Sequence, residues 1–183
     1  LPFQWSVHKW KSIDKKIKLN DADSFIDFEN QNIEREFIKR LLKSVGETGT
    51  IFAHSASTEK SVLKKLKDKD NCRDLAEKIE KLINRVADTL SLVKKHFYSP
   101  LMNGDYGIKN IIMSKSIPSD ISYNEKDNIG SGTDAQLAWF IYTKKNTSKK
   151  DKQKQIDLLI KYCSKDTLAM YHLLKYLINS SKK

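Results

Sequence analysis

The sequence predicts an α/β architecture that begins with strands and continues mostly as helices. Three observations carry this. Residues 2–10 alternate, with Phe3, Trp5 and Val7 on one side and Gln4, Ser6 and His8 on the other. Residues 50–54 form a short, nearly continuous apolar run, the pattern of a buried strand. Beyond Thr58 the apolar residues recur at helical spacing. The order strand, strand, helix, buried strand, helices implies an antiparallel part entering first and a parallel strand after the first helix.

The elements follow in order. Residues 13–19 alternate in part through Ile17 and Leu19, and Phe25 and Ile26 continue them, so a second strand is expected there, interrupted at Asn20 and Asp21. Residues 32–45 make a helix with Ile33, Phe37, Leu41 and Leu42 on its face, Asn30 or Asn32 as cap and Gly46 as terminator. After the buried strand, Ser55 or Ser57 caps a helix over 58–67. A further helix starts at Asn71 or Asp74 and runs to about Ile83, and the segment through Phe97 is helical. Residues 108–112 suggest a short helix, residues 116–132 a loop, and Thr133 caps a helix over 134–142. The Lys-rich stretch 144–154 reads as a polar connection. The last helix, from Ile156 to about Ile178, carries Ile156, Leu159, Ile160, Cys163, Thr167, Met170, Leu174 and Leu177 toward the core. With no internal repeat or linker visible, residues 1–183 read as one domain.

At 183 residues and 39% hydrophobic content the chain is long enough to bury a real core. Its 34 basic and 23 acidic side chains leave a net charge of +11, which attracts phosphate backbones or reflects a genome rich in Lys, Ile and Asn. The only arginines are Arg35, Arg40, Arg73 and Arg85, few for a reader of bases, which leans on the bidentate guanidinium. Cys72 and Cys163 form no metal-type pair and no disulfide framework, so a reducing cytoplasm is expected. No apolar run is long enough to span a membrane and no signal peptide is visible. The start at Leu1 suggests a processed product or a piece of something longer.

Three acids stand out. Glu59 lies one turn after the buried strand, where α/β sheets place ligands, or is simply stabilised by the positive end of its helix. Asp88, in Val86-Ala87-Asp88-Thr89-Leu90, also has the position of a helix cap. Asp166 lies four residues after Tyr162, so the two side chains stack on one helix face, as part of a hydrolytic site or as an ordinary surface hydrogen bond. His8, His54, His96 and His172 lack metal-ligand spacing, and a structural role is expected for His54. The lysines of 144–154 can track a phosphate backbone or form a solvated loop.

The segments Phe3-Gln4-Trp5-Ser6-Val7-His8, His54-Ser55-Ala56-Ser57-Thr58-Glu59-Lys60, Asp105-Tyr106-Gly107-Ile108-Lys109 and Tyr162 through Met170 together resemble, in order, a bacterial domain-of-unknown-function family, family 2779. That family is similar to the tyrosine-type DEDD 3′–5′ exonucleases of the ribonuclease-H-like superfamily. The Tyr162-x-x-x-Asp166 spacing matches their third motif. Their second motif usually reads Tyr-Asn-x-x-Phe-Glu-Lys, and here His54, Ser55 and Thr58 stand at the Tyr, Asn and Phe places.

The resemblance implies a ribonuclease-H-like mixed sheet with flanking helices. It also implies a site in which four carboxylates hold two Mg²⁺ or Mn²⁺ ions about 3.5–4 Å apart, one of which generates hydroxide. Glu59 and Asp166 would be metal ligands, Tyr162 would orient the attacking water, and Asp88 would support the site from behind. The first motif, Asp-x-Glu, has an apparent match in Asp27-Phe28-Glu29. In that fold two strands follow the motif before any helix, whereas here a helix follows Glu29 almost at once, so Asp27 and Glu29 read as a decoy. The first strand, with the other two acids, is then expected upstream of Leu1, which leaves an unpaired sheet edge open to self-association. The resulting expectation is a metal-dependent exonuclease-like domain, incomplete and inactive as this piece, acting on single-stranded DNA or RNA ends. The alternative is a module that keeps the fold and binds nucleic acid, or serves as a scaffold, without catalysis.

Overall fold

The structure is a computed structural model that describes residues 2–27, 32–123, 132–143 and 148–182. The expected features at Phe28, Glu29 and Asn30, and at residues 124–131 and 144–147, lie outside the described residues.

The chain is mixed α/β. Strand β1 (Gln4–Val7) pairs antiparallel with β2 (Asp23–Ile26), and β3 (Ile51–Ala53) pairs parallel with β4 (Val86–Asp88). Among the described residues these form two separate two-stranded sheets. Seven α-helices accompany them there: α1 (Ile33–Val45), α2 (Ser57–Lys67), α3 (Ala76–Asn84), α4 (Thr89–His96), α5 (Ile108–Met113), α6 (Gly132–Tyr142) and α7 (Lys149–Ser180).

The alternation read in residues 2–10 sets the first layer. Trp5 turns to α1, where its indole Nε1 donates to the carbonyl of Phe37 at 3.1 Å, and Phe3 stacks on Trp139 of α6. Phe25 stacks on Trp5 and meets Phe37 edge-on, joining both strands to α1. The opposite face is polar and rests on α7. There Ser6 Oγ lies 3.2 Å from Ser164 Oγ, and His8 Nδ1 lies 2.8 Å from Thr167 Oγ1. Burial lowers the pKa of His8, so its ring stays neutral at neutral pH. α7 is thus covered on two sides, by this sheet and by α5 with Ile111, Ile112, Ala169 and Leu173.

The main core joins Phe3, Trp5, Phe25 and Phe37 to Leu63, Leu66, Ile79 and Leu82. Arg85 fixes the turn between α1 and β3. Its guanidinium donates to the carbonyls of Val45, Gly46, Thr48 and Gly49, and Gly46 takes the positive φ of 60° that ends α1.

Several elements differ from their sequence patterns. The second strand is Asp23–Ile26. Residues 13–19 run as turns into a short 3₁₀ turn, because Ile17 is buried singly against Leu168 and Tyr171 and not along a strand face. Neither Ser55 nor Ser57 caps α2. Ala56 holds the cap position, while Ser55 takes a left-handed φ of 66°. The helix expected from Asn71 begins as a 3₁₀ turn, Asp70–Leu75, before α3. Residues 86–88 are a strand before α4 starts. The last helix begins at Lys149, so the second half of the expected Lys-rich connection is its first turn, capped by Ser148, whose Oγ accepts from Asp151 N at 3.1 Å. No helix of the described residues is long and apolar enough to cross a membrane.

Candidate functional site

A cavity of about 1480 Å³ lies between β1 and β3. Residues 2–10 line one side and Thr50, Ile51, Phe52, Ala53 and His54 the other. Its walls include Phe37, Leu41, Leu63 and Leu66 from α1 and α2, and Cys163, Asp166, Thr167 and Met170 from α7.

Glu59 and Asp166, far apart in sequence, both line this cavity. Glu59 gets there because β3 runs directly into α2, which places its first turn at the strand's carboxyl end. Glu59 is exposed, yet the surrounding protein raises its pKa through burial, with a further contribution from the charge of Asp88.

Asp166 is enclosed more completely. The hydroxyl of Tyr123 donates to its Oδ1 at 2.9 Å. Burial raises its pKa. Hydrogen bonds from Tyr123 and Tyr162 and the charges of Lys109 and Lys165 oppose that rise. Both phenols are held well above their ordinary pKa by burial and by this carboxylate, so they remain protonated donors at neutral pH. The Lys109 ammonium sits 4.2 Å above the Tyr162 ring centroid and 5.4 Å from that of Tyr123. Tyr162 and Asp166 therefore meet as their four-residue spacing implies, inside a cluster that also holds Tyr123 and Lys109.

Asp88 stands behind the site. Its Oδ1 accepts from the backbone N–H groups of Ser55, Ala56 and Leu90, and Ser91 Oγ donates to Oδ2 at 2.8 Å. Burial works against its charge, but these four donors prevail and hold its pKa below the usual carboxylate value. Asp88 thus caps α4 and at the same time ties β4 to the turn that presents Glu59. His54 is also a tie: Nδ1 lies 2.9 Å from Thr89 Oγ1, and Nε2 lies 2.8 Å from the Tyr106 carbonyl, so Nε2 carries the proton.

Asp27 follows the end of β2. Its backbone N–H donates to Phe3 O, and its carbonyl accepts from Trp139 Nε1 at 3.1 Å. It is not among the residues that line the cavity. Tyr123 and Lys109 are the residues that sequence reasoning missed. Lys109 lies in a segment singled out by resemblance, without a role assigned to it. Nothing local to Tyr123 signals its bond to a carboxylate on α7.

Among the described residues no three His, Cys, Asp or Glu side chains converge as a metal site. Two carboxylates, one of them hydrogen-bonded to phenols, do not supply the several anionic oxygens that Mg²⁺ requires. The residues described do not by themselves fit the two-ion arrangement.

Residues 1–107 match the domain of unknown function DUF2779. This chain belongs to that family. The matched span includes β1 to β4, both sides of the cavity, Glu59 and Asp88, and it ends at Gly107, just before α5. Tyr162 and Asp166 lie beyond it. No curated protein and no solved structure matches the chain.

Proposed function

We propose that this member of the family is a nucleic-acid-processing domain of ribonuclease-H-like type. In this reading Glu59 and Asp166 are two of the carboxylates of a phosphodiester-hydrolysing site. The observation that carries it is that two acids from separate helices, α2 and α7, line one cavity. The arrangement around them is consistent with the role. Tyr162 donates its hydroxyl proton to Asp166, which leaves its oxygen able to accept from, and so orient, a water there. Asp88 fixes the turn that presents Glu59. Lys109 places positive charge beside the cluster. The remaining acids would have to come from whatever fills the cavity, so the residues described here form half a site. A nuclease assay with end-labelled single-stranded DNA and RNA in Mn²⁺ tests this. This chain is expected to leave both intact. Cleavage that vanishes in Asp166→Ala would show a complete site and overturn the half-site reading.

A non-catalytic, nucleic-acid-binding role is the second reading. The engagement of Asp166 by Tyr123 and the net charge of +11 favour it. It predicts metal-independent oligonucleotide binding that weakens steeply with salt. Binding indifferent to salt counts against it.

A further inference from the structure

The polar face of the β1–β2 sheet meets α7 through a chain of hydroxyl groups that leads to one imidazole. Ser24 Oγ donates to Ser6 Oγ at 3.3 Å, and Ser6 Oγ lies 3.2 Å from Ser164 Oγ and 3.4 Å from Thr167 Oγ1. Thr167 Oγ1 lies 2.8 Å from His8 Nδ1, and His8 Nε2 lies 3.1 Å from the carbonyl oxygen of Lys18. A carbonyl only accepts, so Nε2 carries the proton, and the neutral ring leaves Nδ1 as an acceptor. The Thr167 hydroxyl therefore donates to His8. It has one proton to give, and a threonine inside a helix ordinarily gives it to its own helix. Here the carbonyls of Ser164 and Cys163 lie farther off, at 3.1 and 3.4 Å. Ser6, His8 and Ser164 are buried, and none of the five side chains has a buried polar atom without a partner.

His8 joins three segments. It directly follows β1, its Nε2 holds Lys18 at the head of the short turn into β2, and its Nδ1 holds α7. One turn further along α7 the Tyr171 hydroxyl reaches the carbonyls of Ile13 and Lys15. Residues 8–18 are thus fastened to α7 at Thr167 and Tyr171, which share a helix face. The other side of α7 packs on α5 through Ile111, Ile112, Ala169 and Leu173. Apolar contact is non-directional, so it holds the helix close without fixing its rotation. The hydroxyl–imidazole bond is directional, and a satisfied buried polar seam selects one arrangement. Asp166 lies about 100° round the helix from Thr167, so the rotation that satisfies His8 also sets where the carboxylate points. In that rotation Asp166 lines the cavity and accepts from Tyr123 at 2.9 Å.

We propose that His8 is a positioning residue for Asp166. Acting through Thr167, it sets the rotation of α7 that turns the carboxylate to Tyr123 and to the cavity. Its functional weight rests on the reading of Asp166 as a carboxylate of the hydrolytic site, while the latch itself involves neither metal nor substrate.

Two readouts test the latch. Nitrogen-15 NMR of the His8 imidazole is expected to show the Nε2-protonated tautomer in the full chain and in Thr167→Ser. A ring protonated at Nδ1 would overturn the proposal, since Thr167 could not then donate to it. The second readout is the coupling between Tyr123 and Asp166, from thermal denaturation of a Tyr123→Phe, Asp166→Asn cycle. Thr167→Val removes the donor, and His8→Phe keeps a ring and removes both nitrogens. Each is expected to lose at least ~half of that coupling, whereas Thr167→Ser keeps it. Ile111→Val thins the apolar packing on the other side of α7, so it is expected to lower Tm and leave the coupling intact. Coupling that survives Thr167→Val or His8→Phe, that Thr167→Ser fails to keep, or that falls equally in Ile111→Val would overturn the proposal. Neither readout involves a metal or a nucleic acid, so a chain that binds no Mn²⁺ counts against the hydrolytic reading alone.

Discussion

Replacing Tyr123 by Phe isolates the contact that most affects Asp166. The substitution removes the donor 2.9 Å from Asp166 Oδ1 and keeps the ring near Lys109 and Lys165. A hydrogen bond to a charged group contributes about 1.5–3 kcal/mol. Tyr162 still serves the carboxylate, so the loss at neutral pH lies toward the lower part of that range. At ~2–4 °C per kcal/mol for a chain of this size, Tm falls by about 3–8 °C. Because the Tyr123 bond lowers the pKa of Asp166, Tyr123→Phe also raises that pKa further. The assay is thermal denaturation of a double-mutant cycle with Asp166→Asn, together with a carboxyl titration by NMR. The cycle is expected to show coupling that shrinks as the carboxyl is protonated. An unchanged Tm with zero coupling would refute the placement of Tyr123 against Asp166.

The folded pKa of Asp166 is raised above its unfolded value, so the native state binds more protons across the window between the two. Stability therefore falls as pH rises through that window, from the ordinary carboxylate value of about 4 upward. Asp166→Asn should be as stable as the parent or less so in acid, and gain on it as pH rises; parallel Tm–pH curves would contradict the burial of a raised acid. Asp88→Ala removes the acceptor of three backbone N–H groups and of Ser91, and a loss of about 2–3 kcal/mol is expected in urea denaturation. A change below ~0.5 kcal/mol, typical of an unremarkable surface site, would show that Asp88 does not tie the two segments together.

The legible parts of the sequence were those with long or repeated patterns. α1 shows both its apolar face and its Gly46 terminator, and the alternation of Phe3, Trp5 and Val7 against Gln4, Ser6 and His8 separates the α1 face from the α7 face. The β4 strand was not legible, because three residues, Val86–Asp88, carry no periodicity and gain their pairing from β3. The start of α7 could have been read from Ser148 and Asp151, a capping pair hidden among lysines. The face of α7 was only partly readable. A helix covered on two sides buries Ser164 and Tyr171 as well as Leu159 and Leu174, which blurs a single stripe. In the candidate site, the pairing of Tyr162 with Asp166 followed from helical spacing alone. The contribution of Tyr123 depends on a fold-level approach of a loop to α7, and no local pattern encodes that.

The central claim is that Glu59 and Asp166, which line one cavity, are two parts of one site. An Mn²⁺ titration followed by electron paramagnetic resonance tests it most directly, comparing the chain with its Glu59→Gln, Asp166→Asn and doubly substituted variants. The expected result is weak binding that each substitution lowers, with the double variant losing no more than the weaker-binding single one. Losses that simply add, or binding unchanged in both single variants, would contradict it.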